Sequence, residues 1–311
     1  MKIGILSRNP KLYSTRRLAQ AARARGHQTW VVDTLRVVVE IGTPPLPDVG
    51  VKVLTGMILQ RAQHLPPFDA VIPRIGMSIT QQGLAVVRQF EVHGVQTTAT
   101  SEAIACSRDK LHSLQLMVDA ELPVPKTAVI SQPEGLFTAI QAVGGLPVVL
   151  KATRGTQGQE VLLAHNLTTA DQVVTRLRRL GRQVLVQEFI AEAAGKDVRV
   201  IVVGGRCVAA MERTATAGDF RANLHRGGTA VSIEPTPDMR ALAVRAAQIH
   251  GLHVAGVDML QSERGPLLLE INSSPGLEGI EQATGVDVAG EIVQFLEEKV
   301  WERMKRHTHN R

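Results

Sequence analysis

Aromatic side chains are scarce in this sequence, since Phe, Trp and Tyr together make up 3% of its 311 residues. Proteins that bind single-stranded nucleic acid stack the bases on aromatic rings, so the shortage argues against that class. Aliphatic side chains must therefore fill the interior, and 44% of the residues are hydrophobic. Such a composition is typical of parallel or mixed sheets that are covered by helices.

Cysteine is also rare, and Cys106 and Cys207 have none of the close spacings of metal sites or redox motifs. Long apolar runs are missing too, because none approaches the roughly 20 residues that a membrane span needs. The apolar run that ends at Leu6 is too short for a signal peptide, and Arg8 follows it. We therefore expect a cytoplasmic protein with reduced thiols and no membrane association.

What the sequence does have is length and positive charge. A chain of 311 residues favours two or three packed units over a single one. Its formal net charge is 35 − 29 = +6, from 35 Lys and Arg and 29 Asp and Glu. This balance favours polyanionic partners such as nucleotide phosphates, nucleic acid or an acidic peptide.

The first unit, residues 1–95, alternates between apolar runs and helical patterns, which predicts a parallel sheet with crossover helices. The predicted strands are Lys2–Leu6, His27–Asp33 and Phe68–Pro73, and the predicted helices are Ser14–Arg25 and Gly83–His93. Residues 40–63 are rich in Pro and Gly and are the hardest to assign.

Two further units are expected after residue 95. Residues 96–190 should contain helices at Thr100–Ala120 and Thr169–Leu180 and strands at Leu146–Lys151, Glu160–Ala164 and Val184–Phe189. Residues 191–311 should contain two hairpins, one turning at Gly204-Gly205 and one around Ser262–Gly265. An amphipathic helix at Asp287–His307 should end the chain.

The sharpest local pattern lies on the two arms of the second hairpin. Glu270 and Asn272 are two residues apart on one strand and point to the same face, and the turn makes Asp258 a cross-strand neighbour of Glu270. Opposed carboxylates repel each other unless a cation lies between them, and oxygen ligands suit magnesium. The alternative is a solvated strand face, which is the more common fate of such residues.

Three other segments could hold a nucleotide. Lys151 ends a buried strand before a glycine-bearing loop and could present its ammonium to phosphates, although this is not a Walker A loop. The backbone of Glu188–Ile190 could hold adenine, and Asp197 could accept hydrogen bonds from ribose. Residues 218–228 carry arginines, whose forks match phosphate or carboxylate oxygens. Each segment alone also fits an ordinary turn, strand or basic loop.

In this order, the four segments resemble the ATP-grasp superfamily. Longer runs resemble the RimK-type glutamate ligases: Asn223-Leu224-His225-Arg226-Gly227-Gly228, Asn272-Ser273-Ser274-Pro275-Gly276-Leu277-Glu278-Gly279-Ile280-Glu281, Ile72-Pro73-Arg74-Ile75-Gly76 and Ser107-Arg108-Asp109-Lys110-Leu111. The likeness extends from the N-terminus to about residue 297. One departure is Gln159-Glu160, where the family tends to carry glycine near the second position.

The resemblance implies an α/β (α+β) fold, in which an N-terminal Rossmann-like (pre-ATP-grasp) domain precedes an ATP-grasp fold that holds ATP between two sheets. The implied nucleotide-binding residues are Lys110, Lys151, Glu188, Phe189, Asp197, Arg221, Ala222 and Asn223, of which Lys151 and Arg221 are the implied catalytic residues. Asp258, Glu270 and Asn272 are the implied ligands of Mg²⁺ or Mn²⁺, and two ions are expected.

The reaction that the resemblance implies is ATP-dependent addition of L-glutamate to a protein or peptide acceptor, through an acylphosphate. The acceptor would be the C-terminus of a small-subunit ribosomal protein, or a growing oligoglutamate chain. The alternatives are another ATP-grasp ligase, such as one for a deazaflavin cofactor or a D-alanine dipeptide, and an ATP-binding regulatory protein without turnover. We expect a homo-oligomer with no direct nucleic-acid binding.

Overall fold

The computed structural model describes residues 1–41, 51–55, 61–153, 161–222, 224 and 227–309. Its strands are β1 (Lys2–Leu6), β2 (Gln28–Val32), β3 (Val37–Val39), β4 (Val51–Thr55), β5 (Arg61–His64), β6 (Ala70–Pro73), β7 (Gln96–Thr97), β8 (Thr127–Ile130), β9 (Val148–Ala152), β10 (Val161–Ala164), β11 (Val184–Glu188), β12 (Lys196–Val203), β13 (Arg206–Thr214), β14 (Thr229–Ser232), β15 (Val254–Ser262) and β16 (Gly265–Asn272). Its α-helices are α1 (Tyr13–Ala24), α2 (Thr80–Val92), α3 (Ser101–Arg108), α4 (Lys110–Asp119), α5 (Leu136–Ala142), α6 (Leu167–Arg179), α7 (Pro237–Ile249), α8 (Glu278–Thr284) and α9 (Val288–His309). Among these helices, none is both long and apolar enough to cross a membrane.

The N-terminal part forms the predicted parallel sheet, with strand order β2-β1-β6-β7. Both faces of this sheet are covered by apolar side chains, and β1 is almost fully buried. Ile3 and Ile5 lie in one core cluster with Leu18 of α1, and Leu6 lies in another with Phe90 of α2. From β1 the chain goes to β2 on one side, and β6 lies on the other side. The topological switch point of the sheet is therefore between β1 and β6.

A small antiparallel sheet occupies part of the segment that was hardest to assign from the sequence. It has the strand order β3-β4-β5, and Val37 pairs with Val53. Strand formation depends on cross-strand neighbours more than on intrinsic preference, so a Pro- and Gly-rich segment gives little warning of it. Residues 42–50 and 56–60 lie outside the described part of the chain.

The single helix predicted over Thr100–Ala120 is wrong, because the structure divides it at Asp109. Asp109 has extended backbone angles (φ −92°, ψ 101°), and its carboxylate accepts a hydrogen bond from the backbone N–H of His112 at 3.2 Å. Asp is a favoured N-cap because it satisfies an otherwise unpaired N–H. The cap makes Lys110 the first residue of α4, where its backbone N–H donates to Thr153 O at 3.4 Å.

Two antiparallel sheets form the remainder of the described fold. The central sheet has the order β10-β9-β11-β8 and is covered by α5 and α6, with Leu150, Val174 and Val184 in a shared core. The C-terminal sheet has the order β14-β13-β12-β15-β16. Both predicted hairpins are present in it, as β12–β13 and β15–β16.

The C-terminal sheet is buried on both faces. Val200 and Val257 share a core with Ala243 of α7, whereas Ile201 shares one with Ile292 of α9. The predicted stripe on α9 is confirmed, because Val288, Ile292, Leu296 and Val300 are all buried. Helix α9 also contacts α1, so the end of the chain packs back onto the N-terminal sheet.

Candidate active site

A cavity of about 430 Å³ lies between the central and C-terminal sheets. It is lined by all ten predicted site residues that the structure describes: Lys110, Lys151, Glu188, Phe189, Asp197, Arg221, Ala222, Asp258, Glu270 and Asn272. The remaining predicted residue, Asn223, lies outside the described residues, as do Arg154–Glu160 with the predicted glycine-bearing loop. Residues that are far apart in sequence thus converge on one concave site.

The second hairpin brings the predicted metal ligands together on neighbouring strands. Asp258 pairs directly with Glu270 and Gly256 pairs with Asn272. A bulge follows, because Met259 pairs with Leu268 and leaves Leu269 without a cross-strand partner. Bulges next to active sites commonly re-aim a side chain, and this one immediately precedes Glu270.

Glu270 and Asn272 have unused oxygen atoms. Both are half-buried, both line the cavity, and neither side chain makes a hydrogen bond or ion pair within the described part of the chain. A carboxylate and an amide oxygen with no protein partner in one cavity are suitable ligands for a hard divalent cation. Because no described group of three or more His, Cys, Asp or Glu residues could hold a metal, such an ion would depend on the amide and on substrate oxygens.

Asp258 differs from these two residues, because arginines already neutralise it. It is 2% exposed. Arg199 donates to both carboxylate oxygens, from Nε to Oδ1 and from Nη2 to Oδ2, each at 2.6 Å. Arg213 adds a third hydrogen bond, from Nη2 to Oδ2 at 2.8 Å. Opposed carboxylates on this hairpin therefore do not need a metal ion to coexist, which the sequence argument had not allowed for.

Arg213 connects Asp258 to Asp197. Its Nε and Nη2 donate to Asp197 Oδ1 and Oδ2 at 2.6 and 2.7 Å, and all three side chains are buried. Burial would raise the pKa of Asp258, but Arg199 and Arg213 hold it below its usual range. Burial and then the charge of Asp258 raise the pKa of Asp197 to about 6, against the opposing effect of Arg213. Two acids and two arginines thus form a balanced buried network.

We expect Arg213→Met to destabilise the fold by about 3–5 kcal/mol, because two buried carboxylates would lose a shared partner. Chemical denaturation near neutral pH measures this change. The control is Arg206→Met on the same strand, whose ion pair with Glu291 is long (3.5 Å) and exposed. We expect the control to change stability by less than about 0.5 kcal/mol. Equal stability of the two variants would contradict the importance of the network.

Lys151 lies at the other side of the cavity. Its Nζ donates to Gln187 Oε1 at 2.7 Å, and burial lowers its pKa to about 8. The charge of Glu270 acts in the opposite direction, and that of Lys110 lowers the pKa further. Lys110, Lys151 and Glu270 all line this cavity. An anion with several negative charges would relieve the repulsion between the lysines.

The apolar part of the cavity suits a planar ring. Phe189 meets Phe220 edge-on, with ring centroids 6.2 Å apart. The carboxylate of Glu188 accepts hydrogen bonds from the backbone N–H of Lys126 at 2.7 Å and from Arg264 Nη2 at 2.6 Å. Both hydrogen bonds end on Oε1 and hold the side chain between the residue before β8 and the turn between β15 and β16.

Arg221 connects the two sheets across the cavity. Its Nε and Nη2 donate to Asp219 Oδ1 and Oδ2 at 2.8 and 2.9 Å, and its Nη1 donates to the carbonyl of Val161 on β10 at 3.1 Å. Ala222, the next residue, is buried against the cavity wall. A change at this arginine would therefore affect both sheets.

Sequence reasoning missed several residues that line the cavity. Arg213, Arg108 and Phe220 were not predicted as site residues, and Arg199 was noted only as a neighbour of Asp197. The sequence did contain a signal for Arg199, because it lies two residues after Asp197 on the same strand, and residues with this spacing share a face. Arg213 gave no such signal, since its role depends on the β12–β13 register, in which it pairs with Asp197.

Two family models match consecutive parts of the chain. The RimK PreATP-grasp domain matches residues 1–104, and the RimK-like ATP-grasp domain matches residues 107–296. The chain belongs to the RimK-like ATP-grasp family. This RimK-like chain is accordingly an ATP-dependent carboxylate–amine ligase, with the predicted ATP-grasp fold and pre-ATP-grasp N-terminal domain.

Close relatives of the RimK-like chain span nearly its whole length. A protein of Ectopseudomonas mendocina (strain ymp) named "Probable alpha-L-glutamate ligase" is 50% identical over 297 residues, which cover 96% of this chain and 95% of the relative. A protein of the same name from Pseudoalteromonas translucida (strain TAC 125) is 51% identical over the same length and the same shares of both chains.

Solved structures share the fold of the RimK-like chain at low sequence identity. A RimK domain protein ATP-grasp from Sphaerobacter thermophilus has a TM-score of 0.72 and 24% identity, covering 95% of this chain and 99% of its own. The ATP-grasp ligase PsnB, solved with a phosphomimetic variant of its minimal precursor, Mg and ADP, has a TM-score of 0.69 and 23% identity, covering 96% and 97%. These similarities establish the common architecture.

Proposed function

We propose that this chain uses ATP to join L-glutamate to the terminal carboxylate of a peptide or protein, forming a peptide bond. The observation that carries the proposal is that Lys110 and Lys151 line the same cavity as Glu270 and Asn272, whose side chains have no partner among the described residues. The choice of glutamate is supported by the name shared by relatives of 50–51% identity.

ATP fits this cavity by its chemistry. Lys110 and Lys151 would contact the phosphates, Phe189 and the backbone of Glu188 would hold adenine, and Asp197 would accept from ribose. Each Asp197 oxygen accepts one hydrogen bond from Arg213 and keeps a further lone pair for such a contact. Arg221 and the adjoining Ala222 and Asn223 would lie by the phosphates, where Arg221 could contact the transferred group.

Glu270 and Asn272, with Asp258, would hold Mg²⁺ or Mn²⁺, and we propose two ions. The donor set fits, because Glu270 and Asn272 have free oxygens and Asp258 would share its carboxylate with Arg199 and Arg213. Bound there, the metal would neutralise charge on the triphosphate.

A carboxylate does not react with an amine directly, so one oxygen must first become a good leaving group. We propose that the acceptor carboxylate attacks the γ-phosphorus of ATP, which releases ADP and leaves an acylphosphate. The amine of glutamate then attacks the carbonyl carbon, the C–O bond to phosphate breaks, and inorganic phosphate leaves. Lys151 and Arg221 contribute by positioning the reactants and stabilising the developing charge.

The acceptor that we propose is a negatively charged peptide. The net charge of +6 suits an acidic peptide that becomes more negative with each added glutamate. We propose the C-terminus of a small-subunit ribosomal protein, with free oligoglutamate as the second acceptor. Exposed charge pairs are screened by salt, so we expect the KM for an oligoglutamate acceptor to rise with ionic strength.

The test is amino-acid-dependent release of phosphate from ATP, measured with candidate acceptors and each amino acid in turn. We expect release with L-glutamate and Mg²⁺ or Mn²⁺, and product peptides that have gained glutamate residues in the mass spectrum. Preference for another amino acid, or for a deazaflavin acceptor, would favour a different ligase of the family. ATP binding without turnover on any acceptor would favour a regulatory role.

A further inference from the structure

The N-terminal sheet brings an arginine to the edge where parallel sheets bind ligands. In open α/β sheets, ligands bind outside the carboxyl ends of the strands at the topological switch point, which here lies between β1 and β6. Leu6 and Pro73 are the last register pair of these strands, and the backbone N–H of Arg74 donates to Leu6 O at 2.9 Å. Arg74 therefore stands directly at the switch point.

The guanidinium of Arg74 has no partner among the residues that the structure describes. The residue is half-buried, and its side chain makes no hydrogen bond or ion pair with any described residue. Burial lowers its pKa to about 10. A guanidinium has five N–H donors in a fixed fork, and withdrawing it from water without an acceptor is costly. An anionic group of a bound substrate would supply the missing hydrogen-bond acceptor.

The surroundings of Arg74 connect it to the cavity. Ser274, two residues after the proposed metal ligand Asn272, donates from Oγ to Pro73 O at 3.1 Å and lines the cavity. On the other side, Arg108 donates to the carbonyls of Ile75 and Gly76 and also lines the cavity. The segment that carries Arg74 is thus held between a wall of the cavity and α3.

We propose that Arg74 binds a carboxylate of a substrate and so forms the part of the active site contributed by the N-terminal sheet. The inference rests on the proposed function, since both the glutamate and the acceptor bring carboxylates. The planar fork of arginine binds a carboxylate through two parallel hydrogen bonds, which gives orientation as well as affinity. Arg74 therefore orients one reactant relative to the phosphates held by Lys110 and Lys151.

The experiment compares Arg74→Met and Arg74→Lys with Arg88→Met, an exposed arginine on α2 of the same part of the chain. Separate KM values are measured for ATP, L-glutamate and an oligoglutamate acceptor. In Arg74→Met we expect the KM for one carboxylate substrate to rise by about tenfold or more, the loss of a bidentate charge-assisted pair. The KM for ATP and all values in Arg88→Met should change by less than about twofold. A raised KM for glutamate assigns the site to the incoming amino acid, and a raised KM for the peptide assigns it to the acceptor.

Arg74→Lys keeps the charge but loses the fork, so we expect partial recovery of the raised KM. If Arg74→Met does not fold, the KM values of Arg74→Lys provide the test instead. Unchanged KM values for both carboxylate substrates, or an equal rise in the KM for ATP, would overturn the role of Arg74. If the wild type transfers no glutamate, the proposed function fails first. Calorimetric titration of the wild type and of Arg74→Met with L-glutamate and oligoglutamate then tests Arg74 alone. Equal affinities of the two proteins for both ligands would overturn the role of Arg74.

Discussion

Glu270→Gln is expected to lower the rate of glutamate-dependent phosphate release by about 10³-fold or more, because it removes the one unpaired carboxylate in the described part of the cavity. Losses of this size follow removal of a single group that stabilises charge in a transition state. The substitution keeps the shape of the side chain and leaves the buried network around Asp258 intact. Steady-state phosphate release at saturating ATP, glutamate and acceptor measures the effect.

The control for Glu270→Gln is Glu263→Gln, in the exposed turn of the same hairpin, which should retain wild-type activity. Binding of Mn²⁺, followed by electron paramagnetic resonance without acceptor or glutamate, gives a second readout. We expect Glu270→Gln to weaken Mn²⁺ binding and Glu263→Gln to leave it unchanged. Near-normal activity of Glu270→Gln would contradict a metal role for this carboxylate.

Lys151→Met should lower the affinity for ATP and the rate by about 10²–10³-fold, because it removes one of the two ammonium groups that we propose to contact the phosphates. The pH dependence gives a sharper test. The pKa of Lys151 in the free protein is about 8, so its protonated fraction falls as the pH rises through that value. If only the protonated form binds the triphosphate, the wild-type affinity should fall roughly tenfold from about pH 7 to pH 9.

In Lys151→Met this pH dependence should be largely lost, because the titrating group is gone. Lys299→Met, on the distant helix α9, is the control and should show the wild-type profile. The measurement is equilibrium binding of a fluorescent ATP analogue over this pH range. A variant that keeps the wild-type slope would show that another group titrates, and the role of Lys151 would then be wrong.

Several elements of the site could be predicted because the determining interactions are local. The turn around Ser262–Gly265 sets the pairing of β15 with β16 as far as Met259 and Leu268 and so brings Asp258 close to Glu270. The bulge at Leu269 then places the two carboxylates directly opposite each other. The Gly204-Gly205 turn likewise places β12 beside β13, although a bulge shifts the register between Ile201 and Val202. Strands alternate their side chains, so a known turn indicates which residues share a face until a bulge shifts the pairing.

Other features depend on contacts between distant parts of the chain. The division at Asp109 was missed although Asp is a favoured cap, because an apolar pattern continues on both sides of it. The arginines that neutralise Asp258 come from β12 and β13, and a sequence does not show which cation meets a buried acid. A lone acid on an apolar strand therefore predicts a compensating charge, and not specifically a metal ion.

The division into residues 1–95, 96–190 and 191–311 stays a prediction. The first and last of these units contact each other directly. Helix α9 packs on α1, and Arg17 of α1 donates to Glu281 of α8 at 3.0 Å and to Asp287 at 2.7 Å. The N-terminal sheet and the end of the chain are thus joined by apolar and ionic contacts. A fragment that ends before residue 278 would lose both.

In the proposed reaction, ATP activates an acceptor carboxylate in this cavity and glutamate then replaces the phosphate. This reaction is tested most directly with an acceptor peptide whose C-terminal carboxylate carries heavy oxygen, incubated with ATP, Mg²⁺ and L-glutamate and analysed by mass spectrometry. We expect the peptide to gain glutamate residues and the released phosphate to carry heavy oxygen from the acceptor. Glutamate transfer with unlabelled phosphate, or release of phosphate without glutamate transfer, would contradict it.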